Sequence, residues 1–224
     1  MMIQKSSLEF LADLKNNNNR EWFLANKTRY EKYKKDYHQF ISDLLEIMTQ
    51  GDSNLSNLQV KNCTFRINRD IRFSKDKSPY KTHMGIWMSV NSTIKNAPGY
   101  YVQIDNDNCF IAGGLYCPEA SELKKIRKEI AFFYDELEEI ISNKNFKKVF
   151  KDLDRDPSQM LKTAPKDYEK DHPAIEYLKL KSVTASQKFD SEIIFEKNAA
   201  SLIAAKLLAL KPLNEFLNRA ILTE

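Results

Sequence analysis

Cysteine and glycine are both scarce: the 224-residue chain carries three of the first and five of the second. Cys63, Cys109 and Cys117 are an odd number with no C-x-x-C pair, which rules out a disulfide framework or a zinc site by arithmetic and leaves buried free thiols as the expectation. The G-x-x-x-x-G-K-[ST] and G-x-G-x-x-G loops that cradle nucleotide phosphates are absent. His38, His83 and His172 share no metal-ligand spacing, and neither H-E-x-x-H nor G-x-S-x-G occurs, so no metal, cofactor or serine-nucleophile elbow is expected. Long apolar runs are missing too. The longest apolar region, residues 199–210, is interrupted by Ser201 and Lys206, and the first residues lack the unbroken apolar stretch of a leader. These absences point to a soluble, cytoplasmic chain with no membrane partner.

The residues present suit a packed core. Apolar residues make up 42% of the chain and charged ones 29%, with 13 Phe and 10 Tyr. No linker, repeat or low-complexity tract divides the sequence, so one α+β domain over residues 1–224 is expected. Leu8, Leu11 and Leu14 mark a first amphipathic helix, and Asn18 with Glu21 has the spacing of a capping box for the next. From residue 28 to 48, Tyr30, Tyr33, Tyr37, Phe40, Ile41, Leu44, Leu45 and Met48 recur at helical spacing, so a long helix with one buried stripe is predicted.

The period then changes from helical to alternating. Over residues 60–73, Phe65, Ile67, Ile71 and Phe73 alternate with Arg66, Asn68, Asp70 and Arg72, which predicts a strand with one apolar face. Residues 84–90, 100–105 and 109–116 repeat strand patterning, the last two joined by Asn106, Asp107 and Asn108. A final strand is expected at 182–189, giving an antiparallel meander of about four to six strands packed with N-terminal and C-terminal helices. Pro118 suits the first turn of a helix reaching about residue 142, residues 145–153 are ambiguous, and helices are expected at 173–180, 191–210 and from Pro212 onward. Gly113 and Gly114, adjacent inside a strand run, imply a bulge or a close approach, with packing the better-supported cause.

Charge is uneven along the chain. Residues 60–85 hold Lys61, Arg66, Arg69, Arg72, Lys75, Lys77 and Lys81 against Asp70 and Asp76, a local net of +5 in a chain of net +4, so the remainder nets −1. Guanidinium forks match phosphate or carboxylate oxygens, and lysines in the following turn add point charge. Residues 66–81 are therefore the candidate anion site, with Arg66, Asn68, Arg69, Arg72, Lys75, Lys77 and Lys81 as ligand-binding residues. The competing account is a same-face ladder in which Asp70 satisfies Arg66 and Arg72. Arg69 falls on the apolar side of the alternation, where it needs a carboxylate, water or a bulge. Asp70 and His83 are the candidate catalytic groups. His172, at the entrance of a predicted short helix, would take part only if the fold brought it to the arginines. Tyr30, Tyr33 and Tyr37 fit a core more readily than a ligand platform.

Four segments, FLADLKNNNNREWFLANKTRY, FRINRDIRFSKDKSPYKT, AGGLYCPEASELKKIRKEI and APKDYEKDHP, carry a resemblance in chain order: the chain resembles domain-of-unknown-function family 2461, found in bacteria and fungi. The resemblance covers nearly the whole chain. It implies one α+β domain of about this length and carries over no catalytic residue. This chain has Ala112 where the family often has a third glycine, and Asp167 where a glycine commonly follows the Pro-Lys pair. On the residues, the leading expectation is a binding module for an anionic partner, a phosphorylated metabolite or a nucleic-acid backbone. The alternatives are an enzyme with an arginine clamp acting on a phosphoryl or carboxylate substrate, and a protein-interaction module.

Overall fold

The computed structural model describes residues 2–90 and 97–222. Within these the chain is α+β. Its strands are β1 (Met84–Met88), β2 (Gly99–Ile104), β3 (Phe110–Leu115) and β4 (Val183–Lys188), in the sheet order β1-β2-β3-β4, an antiparallel meander at the low end of the expected strand number. The chain partitions into two compact units: residues 1–88, 101–111 and 188–205 form the first, and residues 89–100, 112–187 and 206–224 the second. Each is assembled from three separate stretches, so no single cut of the chain separates them.

The first unit opens with α1 (Lys5–Asn16), α2 (Arg20–Ala25) and α3 (Lys27–Gly51). Apolar residues at helical spacing bury one stripe of α3, through Tyr33, Tyr37, Phe40, Ile41, Leu44, Leu45 and Met48, with Leu11 and Leu14 of α1 also buried. Asn19, not Asn18, caps α2, accepting from the Trp22 amide at 2.9 Å. Asn18 has a different task. Its side chain donates to the Tyr80 carbonyl at 2.9 Å and accepts from the Tyr80 amide at 3.0 Å, a two-way clamp on the end of the basic segment.

The strand expected at residues 60–73 is not formed. Residues 60–63 make a single helical turn, α4 (Val60–Cys63), and the rest of the segment contributes only isolated antiparallel bridges, Thr64 to Ile86 and Asn68 to Tyr80. The inner/outer alternation of residues 67–72 survives, but Phe73 is 95% exposed. Two features prevent a ladder. Short polar side chains bond to nearby amides, Asp70 to Arg72 and Asp76 to Ser78, offering the backbone an alternative to sheet pairing, and Pro79 has no amide to give.

The second unit carries α5 (Ala120–Phe132), α6 (Tyr134–Ser142), α7 (Lys144–Phe150), α8 (Ile175–Leu178) and α10 (Lys211–Leu222), while α9 (Ala199–Leu207) lies mostly in the first. The one helix expected from Pro118 is two. It starts at Ala120 on a Glu119 capping box and breaks at Phe133, whose ψ of 40° leaves the helical range. The helix expected from Pro212 onward starts one residue earlier and is described to Leu222, positions 223–224 lying outside the described residues. Gly114 has φ +103°, and a Cβ there would sit 2.2 Å from the Val183 carbonyl oxygen, while one on Gly113 would sit 2.8 Å from that of Gly99. The glycine pair therefore serves close backbone approach. Cys63 and Cys109 are buried thiols, whereas Cys117 is exposed with φ 46°, correcting the expectation that all three are buried.

Candidate functional site

Residues 67–81 fold back on themselves as a hairpin without a ladder, its base closed by the Arg69 amide donating to the Pro79 carbonyl at 2.9 Å and the Lys81 amide donating to that of Ile67 at 2.8 Å. This places Arg66, Ile67 and Asn68 beside Lys81 and His83, opposite the N-terminal half of α3. Between them lies a cavity of about 430 Å³, lined by Tyr30, Tyr33, Lys34, Tyr37 and His38 of α3 and by Thr64, Phe65, Arg66, Ile67, Asn68, Lys81, His83 and Gly85. All of these belong to the first unit. Its lining contains Lys34, Arg66 and Lys81 and no Asp or Glu.

The electrostatics follow from that composition. Burial and then the neighbouring Arg66 guanidinium hold the Lys81 ammonium below its ordinary value. Burial and Lys34 do the same to His38. His83 is lowered by burial first; Asp105 opposes this and Lys81 adds to it. Each cationic form is disfavoured first by burial and then partly by another cation, with Asp105 as a partial counter-charge at His83 alone. Lys81 is steered by a 2.8 Å bond to the Arg66 carbonyl and sits over the Phe65 ring, 5.1 Å from its centroid. The Tyr37 hydroxyl donates to the Gly85 carbonyl, tying α3 to β1, and burial pushes its ionisation far above the usual range.

The arginines of the segment have separate fates. Arg72 meets Asp70 through a two-pronged contact, Nε to Oδ1 at 3.0 Å and Nη2 to Oδ2 at 2.7 Å, which holds the Asp70 carboxyl down at about 2. Arg69 is half-buried, as the alternation implied, and finds its carboxylate in Asp76 at 2.5 Å with the Ser78 carbonyl at 2.9 Å. Arg66 has no carboxylate partner among the described residues. Asp70 therefore occupies one arginine and leaves the other open.

Of the residues singled out in the sequence, Arg66, Asn68, Lys81 and His83 line the cavity. Arg69 and Asp70 line a second hollow of about 540 Å³, with Asp76, and Lys81 and His83 line both. Arg72, Lys75 and Lys77 line neither. His172 is engaged locally, its Nδ1 accepting from the Ala174 amide at 3.0 Å. The sequence did not mark Lys34 or His38 as site candidates, and it favoured the core over a ligand platform for the tyrosines. Tyr33 and Tyr37 are buried, yet they also wall the cavity. The available signal was spacing: Tyr30, Lys34, Tyr37 and His38 follow the three- and four-residue steps of one helix face. Among the described residues no group of three or more His, Cys, Asp or Glu is placed to hold a metal ion, and no helix is long and apolar enough to cross a membrane.

No curated protein and no solved structure matches the chain. A family model described as a conserved hypothetical protein, DUF2461, matches residues 6–216, which span α1 to α10, every strand and every lining residue of the cavity. The chain belongs to the DUF2461 family.

Proposed function

We propose that the cavity between α3 and the base of the basic hairpin binds a small anionic metabolite carrying a phosphoryl group. The observation that carries this reading is a lining with Lys34, Arg66 and Lys81 and no carboxylate, in which Arg66 is unspent. A cavity of about 430 Å³ falls in the range of small-molecule sites rather than of an extended strand. Asn68 and Tyr30 add neutral polar groups to the lining beside the cations, the Tyr37 and Thr64 hydroxyls already donating to the Gly85 and Lys61 carbonyls.

The test is a thermal-shift and calorimetric screen with inorganic phosphate, sugar phosphates and nucleoside monophosphates on the wild type and on Arg66→Ala/Lys81→Ala. Each charge-assisted contact contributes about 1.5 kcal/mol, so the double variant is expected to bind roughly a hundredfold more weakly with little change in fold stability. Absence of any millimolar binder, or binding untouched in the double variant, refutes the reading.

An enzymatic reading is favoured by one specific observation: two imidazoles, His38 and His83, share the cationic cavity. Asp70, ionised down to about pH 2 and lining the other hollow, is a poor proton acceptor near neutrality. His83, with Asp105 acting on it, is the proton-transfer group in this reading, and Arg66 the clamp. Turnover of a chromogenic phosphate ester that disappears in His83→Ala, with phosphate binding retained, would establish it; absence of turnover in the wild type leaves the binding module standing alone.

A further inference from the structure

Beyond its base, the hairpin carries a feature the cavity does not use. Phe73 stands 95% exposed in the loop of residues 70–78, whereas strand alternation would have turned it inward. An exposed phenyl on a floppy loop would mean little, but this loop is built. Arg69 reaches across it to Asp76 and the Ser78 carbonyl, the Ser78 amide caps on Asp76 at 2.9 Å, and the Lys77 ammonium donates to the Ile71 carbonyl at 3.0 Å. The Asp70 fork fixes Arg72, whose guanidinium lies 5.8 Å from the Phe73 ring centroid. Hydrogen bonds thus brace the backbone while the largest apolar side chain of the loop is left in water.

Charge identifies the partner such a platform would meet. Both carboxylates of the loop, Asp70 and Asp76, are already spent on Arg72 and Arg69. Lys75 has no carboxylate partner among the described residues, and Lys77 has only a carbonyl. An exposed ring with Arg72 beside it, in the same braced loop as Lys75 and Lys77, offers one flat apolar face and several cations. Single-stranded nucleic acid presents the complement, unpaired bases with open π-faces joined by phosphates, and every base can stack on a phenyl whatever the sequence. A duplex hides those faces, and a purely acidic polypeptide lacks them.

We infer that the loop around Phe73 is a docking surface for single-stranded nucleic acid, with Phe73 as the stacking platform and Lys75 and Lys77 as phosphate contacts. This surface is separate from the cavity and does not depend on the cavity's ligand. It recognises backbone charge and base faces, not sequence.

The test is fluorescence anisotropy of the full chain with labelled twelve-nucleotide single-stranded DNA and RNA, and with the matching duplex. Saturable single-strand binding at low salt is expected, weakened roughly tenfold or more in Phe73→Ala and retained in Phe73→Trp. Lys75→Ala/Lys77→Ala should weaken it further and lower the slope of log affinity against log salt by about 1.4. Arg66→Ala/Lys81→Ala is expected to leave at least the Phe73-dependent part intact, which separates failure here from failure at the cavity. No saturable oligonucleotide binding, binding indifferent to Phe73→Ala, or Phe73-dependent uptake only by anionic vesicles or polyglutamate would overturn the inference.

Discussion

Arg66 in the first unit and Arg219 in the second carry the same charge, yet their surroundings are opposite. Arg219 on α10 donates to Glu129 of α5 at 2.6 Å and to Glu136 of α6 at 2.7 Å, and lies within about 5 Å of the Phe133 and Phe216 rings. Its two carboxylates hold the guanidinium charged well beyond its ordinary range. Arg66 depresses Lys81, reaches Asp70 only as a weak attraction beyond ion-pair distance, and faces a hollow. The contrast separates two uses of arginine. Where carboxylates arrive from other helices, the side chain fastens the fold. Where cations converge and carboxylates are excluded, the arrangement is worse for the isolated protein and better for an anionic ligand.

Substitutions can break that contrast or sharpen it. The largest expected effect is on Arg66→Ala combined with Lys81→Ala, the roughly hundredfold loss of phosphate-ligand affinity with little change in the denaturation midpoint, read by calorimetry and urea titration. Arg219→Ala should do the reverse. It strands Glu129, whose side chain is only 12% exposed, and is expected to cost about 1–2 kcal/mol in urea unfolding after allowance for the half-exposed pair, with ligand affinity unmoved. If Arg219→Ala abolished binding as well, the two roles would not be separable.

Proton linkage gives a smaller effect of definite sign. His38 and His83 have folded pKa values below their ordinary 6.5, so the folded chain binds fewer protons than the unfolded one, and their stabilising contribution, full above pH 6.5, is lost as pH falls from there toward the folded values. A bound anion favours both imidazolium forms and so opposes the depression that burial causes. Ligand affinity should therefore rise severalfold between pH 7.5 and about 5.5, and most of that rise should vanish in His38→Gln/His83→Gln, measured by calorimetry at each pH. The smallest effect is expected from Asp70→Asn. It releases Arg72, which lines neither hollow, so cavity affinity should change by less than about twofold. A larger change would move Arg72 into the site.

Much of the architecture was readable from periodicity. The stripe of α3, the strand character of β1 to β3, and the polar Asn106, Asp107 and Asn108 connection each state a local preference that the fold keeps, although β1 and the end of β3 are buried on both faces. The 60–73 segment misled because alternation reports which side chains face inward, not whether a second strand is present to make a ladder. It kept the inner and outer faces of residues 67–72 and lost the strand. The site was half legible for a similar reason. Arg66, Asn68, Lys81 and His83 announce themselves by charge density and proximity in sequence, whereas Lys34 and His38 enter only because α3 packs across from them.

The sequence alone determined that one short stretch would be strongly basic, that Arg69 would need a carboxylate, water or a bulge, and that Gly113 and Gly114 marked a bulge or a close approach, since composition and alternation are local properties. Which arginine remained open was decided by tertiary structure. Asp70 turned to Arg72 and Asp76 to Arg69, while among the described residues no carboxylate forms an ion pair with Arg66, because partner choice depends on where loops and helices converge in space and not on the order of residues along the chain.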